Sequence, residues 1–405
     1  MSFLEPLALD PLPEQQPPEV MVRSRARMVV VRDSRRWKML VLGALTVPLL
    51  VISVAPFFLP VVEGRLVSRF VALGVALVGL QFVVGLSGQL SLCHGVFVGL
   101  GSYATTIVIS RFGWSHAAGL ALTPLVGFGA GCIVGLLALR IRATYLGPVT
   151  LSVAVTFPML VKRFSWFTGG SGGLPLVRQI NPPDWMHLRP GQEYKFNHLL
   201  IVMVAVLALV VARNVVLSPV GLAVRAVAEN PLSAATSGIN VRRTRVLAYG
   251  WGAAFGALGG GLLVLDTPVV GADNYDLFRS LGYYAAVTVG GAVSMIGAVF
   301  GAGLLIGVPW FIDTYGLRAS PNLILGTLLV GAILVAPGGL AVAVANYVNG
   351  LIDVRPAQGL GDGGDPNAGF APRPTPGAAT ASAEEDHGLF QPPEAHYRSP
   401  DERHP

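Results

Sequence analysis

Long apolar runs separated by short polar breaks fill most of the chain. Runs at 39–62, 67–86, 95–110, 117–139, 144–161, 198–217, 246–265, 281–312 and 321–344 approach or exceed the length of a membrane crossing, which takes roughly 20 apolar residues as a helix. Between Arg65 and Pro183 there is no Asp or Glu. A soluble domain of that size needs a charged surface, so this stretch reads as helices packed inside a bilayer. The pattern predicts an all-α fold, a polytopic membrane helix bundle of about 8–10 transmembrane spans.

The run 281–312 exceeds one crossing and contains Gly290-Gly291 and Gly297. It fits either one tilted helix or a re-entrant half-helix followed by a full one, and the choice decides the side of the C-terminus. Small residues recur at four-residue spacing in Gly127, Gly131, Gly135, in Gly252, Gly256, Gly260, and in the pairs Gly297, Gly301 and Gly303, Gly307. Each ladder lines one helix face and lets another backbone approach. Packing within the chain is the expected use, a subunit interface the alternative.

Composition agrees with a membrane protein: 53% of residues are hydrophobic and 12% charged, with a mean hydropathy of +0.62, whereas soluble domains are about 25% charged. The net charge of +6 does not mark a nucleic-acid surface, because the arginines sit at the ends of apolar runs, as topology signals do. Residues 1–38 are Pro- and Glu-rich and then basic, with Arg23, Arg25, Arg27, Arg32, Arg35, Arg36 and Lys38. They read as a disordered cytoplasmic extension before a signal anchor, with anionic membrane lipid as a contact. Alternate passes then put 140–143 and 218–245 in the cytoplasm and 162–197 outside. Residues 39–352 form the transmembrane domain, and 353–405, rich in Pro and Gly with Glu384, Glu385 and Asp386, read as a disordered tail.

Candidate chemistry is sparse. The acids between Met39 and Ile352 are Glu63, Asp184, Glu193, Glu229, Asp266, Asp273, Asp276 and Asp313, all in loops or at span ends. Ion-coupled carriers usually keep carboxylates or histidines inside the membrane, and only His94 and His198, near span boundaries, are candidates. No phosphate-binding GxxxxGK[ST] loop and no HExxH occurs, so the chain has no ATPase or zinc-protease motif of its own. Cys93 and Cys132 have no disulfide or metal spacing and read as small buried residues. Ser171, in a glycine-rich loop, has no evident base. No cofactor is called for. An externally energised permease or a passive channel fits better than an ion-coupled secondary transporter.

The loop 218–245 carries the most information. Residues 220–229 suit a short helix, Asn230-Pro231 breaks it, and 232–237 suit a second turn closed by Gly238. Two short helices at the membrane face would make a compact knob for a partner. The alternative is an ordinary basic topology loop.

Over residues 65–345 the chain resembles the membrane permease subunits of ABC importers for branched-chain amino acids. The resemblance rests on Gly85-Leu86-Ser87-Gly88-Gln89-Leu90-Ser91-Leu92, on Thr168-Gly169-Gly170-Ser171-Gly172-Gly173-Leu174, and on Arg225-Ala226-Val227-Ala228-Glu229-Asn230 with Ala234-Ala235 and Gly238-Ile239-Asn240-Val241. Gly290-Gly291 and Gly297 also fit. Cys93 and Pro231 depart from it, where the family often has glycine and a polar or acidic residue. The resemblance implies a bacterial plasma (inner) membrane location, a second related permease, a pair of cytoplasmic ATPase subunits and an extracytoplasmic solute-binding protein. It implies branched-chain or other apolar amino acids as solutes, although relatives also move urea and short amides. It makes 218–245 the loop that docks on the ATPase, with Arg225, Glu229, Asn230, Ala234, Ala235, Gly238 and Ile239 as its residues. Gly88, Gln89 and Ser91 are expected to end a helix beside the solute path, with Thr168 and Gly169 also on the path. A tight helix break stabilised by Gln89 is the alternative.

Overall fold

The computed structural model describes residues 28–31, 48, 50–141, 145–176, 182, 191–292, 294–316, 318, 320–335, 339–343 and 352–355. The N-terminal basic run, Arg142, much of 177–190 and the tail after 355 lie outside the described residues. The described chain is an all-α bundle. Its helices are α1 (50–58), α2 (Val61–Gln81), α3 (His94–Ser110), α4 (His116–Leu139), α5 (Leu146–Arg163), α6 (Ser165–Thr168), α7 (Glu193–Leu217), α8 (Pro219–Glu229), α9 (Pro231–Thr236), α10 (Val241–Val264), α11 (Leu277–Gly290), α12 (Met295–Tyr315) and α13 (Pro321–Val335). Five of these stretches are long and apolar enough to cross a membrane, with α2 counted together with the π-turn that continues it to Leu86.

Strands are few. β1 (Met28–Val31) and β4 (Ile352–Arg355) pair in parallel, while β2 (Leu174–Pro175) and β3 (Val269–Val270) pair antiparallel. The first ladder joins the two flanks of the helical domain. The second ties the loop after α6 to the loop after α10.

Local chemistry explains where the helices begin. Ser115, Asn240 and Asp276 each accept a hydrogen bond from a backbone N–H of the turn that follows, capping α4, α10 and α11. Between α11 and α12 the helix stops: Gly291 sits at φ 115°, and α12 restarts at Met295. The run 281–312 is therefore a short helix, a break and a full helix rather than one tilted span. Inside α2, Gln81 donates from Nε2 to the carbonyls of Gly291 (3.1 Å) and Ser294 (2.6 Å). A break in apolar surroundings needs such a partner, because its freed backbone groups have no water to turn to.

α10 is the centre of the bundle. In its most apolar window 72% of residues are buried, against 28% for α4, which lies at the periphery. Its neighbours α2, α3 and α4 approach at backbone distance. A Cβ at Gly260 would land on the Val98 carbonyl of α3, and one at Gly131 on the Tyr249 carbonyl of α10. The ladder Gly127, Gly131, Gly135 thus packs within the chain. The pair Gly303, Gly307 does not: Gly307 has open space where its side chain would be. Polar ties add to this packing. Ser102 Oγ of α3 donates to the Gly260 carbonyl of α10 at 2.8 Å, and the buried His198 of α7 lies 3.0 Å from both Ser68 Oγ of α2 and the Ile52 carbonyl of α1.

α10 also defines two ends. It starts beside α9 and finishes beside β3, where Lys162 pairs with Asp273 and Arg65 with Asp266. Gly88, Gly291 and Gly339 lie at the end that carries α8 and α9, since Gly88 faces Ala228 and Gly339 packs on Gly291.

Two expectations follow. Gly260→Val should destabilise the purified protein by about 1–3 kcal/mol or more, by overpacking a backbone contact, whereas Gly307→Ala should leave its melting temperature unchanged. Equal effects in a thermal melt would remove α10 from the centre of the account. Second, on a background lacking Cys93 and Cys132, a cysteine at the exposed Ser237 should resist an impermeant thiol reagent in intact cells, and one at the exposed Ser171 should react. The reverse pattern would invert the topology.

Candidate functional site: a two-helix knob and the helix breaks beside it

The segment after α7 folds as two short helices because its caps leave little choice. Ser218 accepts from the Gly221 N–H, and Pro219 occupies the first position of α8. Asn230 ends α8 in extended conformation and begins α9, its Oδ1 accepting from Leu232 N (3.0 Å) and Ser233 N (3.1 Å). At the end of α9, Ile239 N bonds the Ala234 carbonyl and Gly238 N the Ala235 carbonyl, both at 3.0 Å. Gly238 takes φ 84° to make this closure. These are the paired 6→1 and 5→2 bonds of a Schellman motif, which needs a left-handed residue at that point. Asn240 then caps α10 through Arg243 N at 3.0 Å.

The knob presents a mixed face. Arg225, Glu229 and Asn230 are exposed, and Ala234 is buried, holding α9 in place. Leu222 and Leu232 are 58% and 76% exposed. Neither was among the residues singled out from the sequence, yet large apolar side chains at such exposure are what a partner would cover. The helical period of α8 could have flagged Leu222, which faces away from the buried Val224 and Val227.

Beside the knob, α2 ends in a π-turn over Phe82–Leu86 and the chain runs irregularly to Cys93. Gly88 has φ 64°, and its missing Cβ would sit 3.9 Å from the Ala228 Cβ of α8. Gln89 donates to Ser87 Oγ at 2.9 Å, stapling the break, and Ser91 is fully buried, 3.7 Å from Cys93 Sγ. Tyr249 Oη of α10 holds the Leu90 carbonyl at 3.2 Å, and Thr150 of α5 accepts from Leu92 N at 3.1 Å. Gly88, Gln89 and Ser91 thus build the helix break itself. A cavity of about 400 Å³ opens next to them, lined by Gln81, Phe82, Leu86, Arg213, Arg225 and Ala292 among others. It joins the α2 break, the α11–α12 break and α8 in one place. Gln81, which links the two breaks, was not picked out from the sequence; only the contact across 210 positions reveals it.

Thr168 and Gly169 lie at the opposite end. Thr168 Oγ1 contacts the Val161 carbonyl at 2.6 Å and the Phe164 carbonyl at 2.9 Å, closing the end of α5. Gly169, Gly170 and Gly173 all have positive φ, and Gly173 packs on the Val270 carbonyl of β3. The glycine run makes a tight turn clamped against the loop after α10. The structure does not bring Thr168 and Gly169 together with Gly88, Gln89 and Ser91.

The family described as branched-chain amino acid transport system, permease component, matches residues 64–337. The chain belongs to that family. It is 27% identical over 317 residues to the high-affinity branched-chain amino acid transport system permease protein LivM of Escherichia coli, covering 73% of each chain. It is 25% identical over 283 residues to the high-affinity branched-chain amino acid transport system permease protein LivH of Escherichia coli, covering 65% of this chain and 89% of LivH. A probable LivH of Methanocaldococcus jannaschii matches at 33% over 128 residues, 30% of this chain and 40% of the relative. No solved structure matches. As a permease of this family the chain is an integral membrane protein and a component of branched-chain amino acid transport.

Gly238→Val should cost roughly 1–3 kcal/mol locally, because a β-branched residue resists φ 84°. Hydrogen exchange of α9 in the purified protein should rise sharply while α10 stays protected. Uniform exchange across both helices would mean that the Schellman closure does not hold the knob.

Proposed function

We propose that this chain is one of two related permease subunits in an ATP-driven importer of the bacterial plasma membrane, carrying branched-chain or other apolar amino acids by alternating access. The observation that carries the reading is the doubly capped α8–α9 knob, whose exposed Leu222 and Leu232 sit beside Arg225 and Glu229. A rigid, partly apolar, charged projection of this kind suits docking on a cytoplasmic ATPase subunit. The names of LivM and LivH, permease proteins of a high-affinity branched-chain system, support the solute class.

The mechanism follows from what touches the knob. ATP closing a pair of ATPase subunits pulls on α8 and α9. Ala228 of α8 faces Gly88 in the α2 break, and Gln81 couples that break to the one between α11 and α12. Helix breaks are where a bundle bends at low cost, and the packed segments between them move as rigid bodies. An external binding protein delivers the solute at the far end, near 162–176. The chain supplies the path; the hydrolysis is the partner's.

In proteoliposomes holding this chain, its partner permease, the ATPase subunits and the binding protein, ATP on the ATPase side should drive leucine accumulation. Proton and sodium ionophores should leave that accumulation unchanged, and Leu232→Asp should abolish it together with ATPase co-purification. Accumulation driven by an ion gradient in the isolated chain would refute the reading and favour a secondary transporter.

A further inference from the structure

At the end of the bundle opposite the knob, a second cavity of about 70 Å³ lies among α2, α7 and the turn after α10, lined by Arg65, Glu193, Tyr194, Asn197, Asp266 and Thr267 among others. Its polar groups are not balanced. Asp266 is only 6% exposed. One carboxylate oxygen, Oδ1, lies 3.7 Å from Arg65 Nε. The other, Oδ2, is buried with no hydrogen-bond partner, and so is Asn197 Oδ1. Asn197 is oriented by its amide, which donates to the Leu265 carbonyl at 2.8 Å. Both orphaned atoms are acceptors, so what completes the cavity must be a donor. The position sharpens this. Asp266 follows the last turn of α10, where the helix dipole is negative and a carboxylate is disfavoured without a cation. Arg65 is the near cation, but its side chain is 45% exposed and stands at the rim.

We propose that this cavity seats the ammonium group of the transported amino acid, with Asp266 Oδ2 and Asn197 Oδ1 as acceptors and Arg65 facing the carboxylate of the same zwitterion. At about 10–15 Å³ of such space per water, the cavity has room for several waters and so for a charged head group. Its largely polar lining of Arg65, Glu193, Asn197 and Asp266 leaves the apolar part of the solute to project from it. This inference rests on the amino-acid reading above and adds the first contact on the receiving face. Burial raises the Asp266 carboxyl to about 6, against the opposing pull of Arg65 and Arg69. The other charged or titratable groups lining the cavity among the described residues are Glu193 and Tyr194 of α7. The seat needs the ionised carboxylate, so it should be competent at neutral pH and fail as pH falls through about 6.

The test is ligand-observed saturation-transfer NMR on the assembled transporter in nanodiscs, without binding protein, using leucine, methylammonium and 4-methylpentanoate. Leucine and methylammonium should give signals near neutral pH that drop about ten-fold or more at pH about 5 and in Asp266→Asn, while 4-methylpentanoate gives none. Asp266→Asn should melt at or above the wild-type temperature at neutral pH, because it removes the cost of a buried charge; a merely structural role would lower it. Should that variant fail to assemble, Asn197→Leu should show the same loss of signal. Leucine signals unchanged in either variant, or 4-methylpentanoate binding as well as leucine, would overturn the proposal, as would no binding of leucine or methylammonium to the wild type. Methylammonium binding that Asp266→Asn removes, without leucine binding, would keep the ammonium seat and overturn the amino-acid reading.

Discussion

Backbone-to-backbone contact around α10 is the constraint on which the rest of the structure depends. In a bilayer there is no hydrophobic force to press helices together, because lipid tails are as apolar as leucine. Association has to come from close packing and from hydrogen bonds across the seam. Gly260 against the Val98 carbonyl and Gly131 against the Tyr249 carbonyl supply the first. Ser102 on the Gly260 carbonyl supplies the second. Such contacts tolerate almost no sliding, so α3, α4 and α10 form one stiff unit.

That stiffness gives the breaks their meaning. The irregular turn from Ser87 to Cys93 and the gap between α11 and α12 are the points where the packed segments can change relation. Both adjoin the α8–α9 knob, and Gln81 links them. The opposite end of α10 carries Asp266 and the polar cavity. One helix thus has the proposed docking surface at its start and the proposed solute seat at its finish. In the proposed cycle, a push at one end would reach the other through a rigid body, with no chain of side-chain rearrangements required.

The parts of this design that are local were legible in the chain. Absence of Asp and Glu between Arg65 and Pro183, with apolar runs of membrane length, is enough to predict the bundle. Caps are read from adjacent residues, which is why Asn230-Pro231 and Gly238 placed α8 and α9 correctly. Four-residue glycine spacing announced close packing, but not against what. The break within 281–312 stayed undecided in the sequence, because glycine permits a break and only the reach of Gln81 stabilises it there. The polar cavity was not legible at all. Asp266 and Asn197 are 69 positions apart and unremarkable singly; burial and missing partners make them a site. The types of Gly88, Gln89 and Ser91 fit a solute path and a helix break alike; the positive φ of Gly88 and the local hydrogen bonds of Gln89 and Ser91 belong to the break.

The central claim, that α3, α4 and α10 behave as one rigid body through the transport cycle, can be measured directly by pulsed dipolar spectroscopy on the full assembly. Spin labels at the exposed Phe112, at one end of α3, and Arg242, at the opposite end of α10, span that unit. The account predicts the same sharp distance distribution in nucleotide-free, ATP-bound and post-hydrolysis states. A distribution that shifts or splits with nucleotide would contradict it, and would mean that α3 slides along α10 despite the contact between Gly260 and Val98.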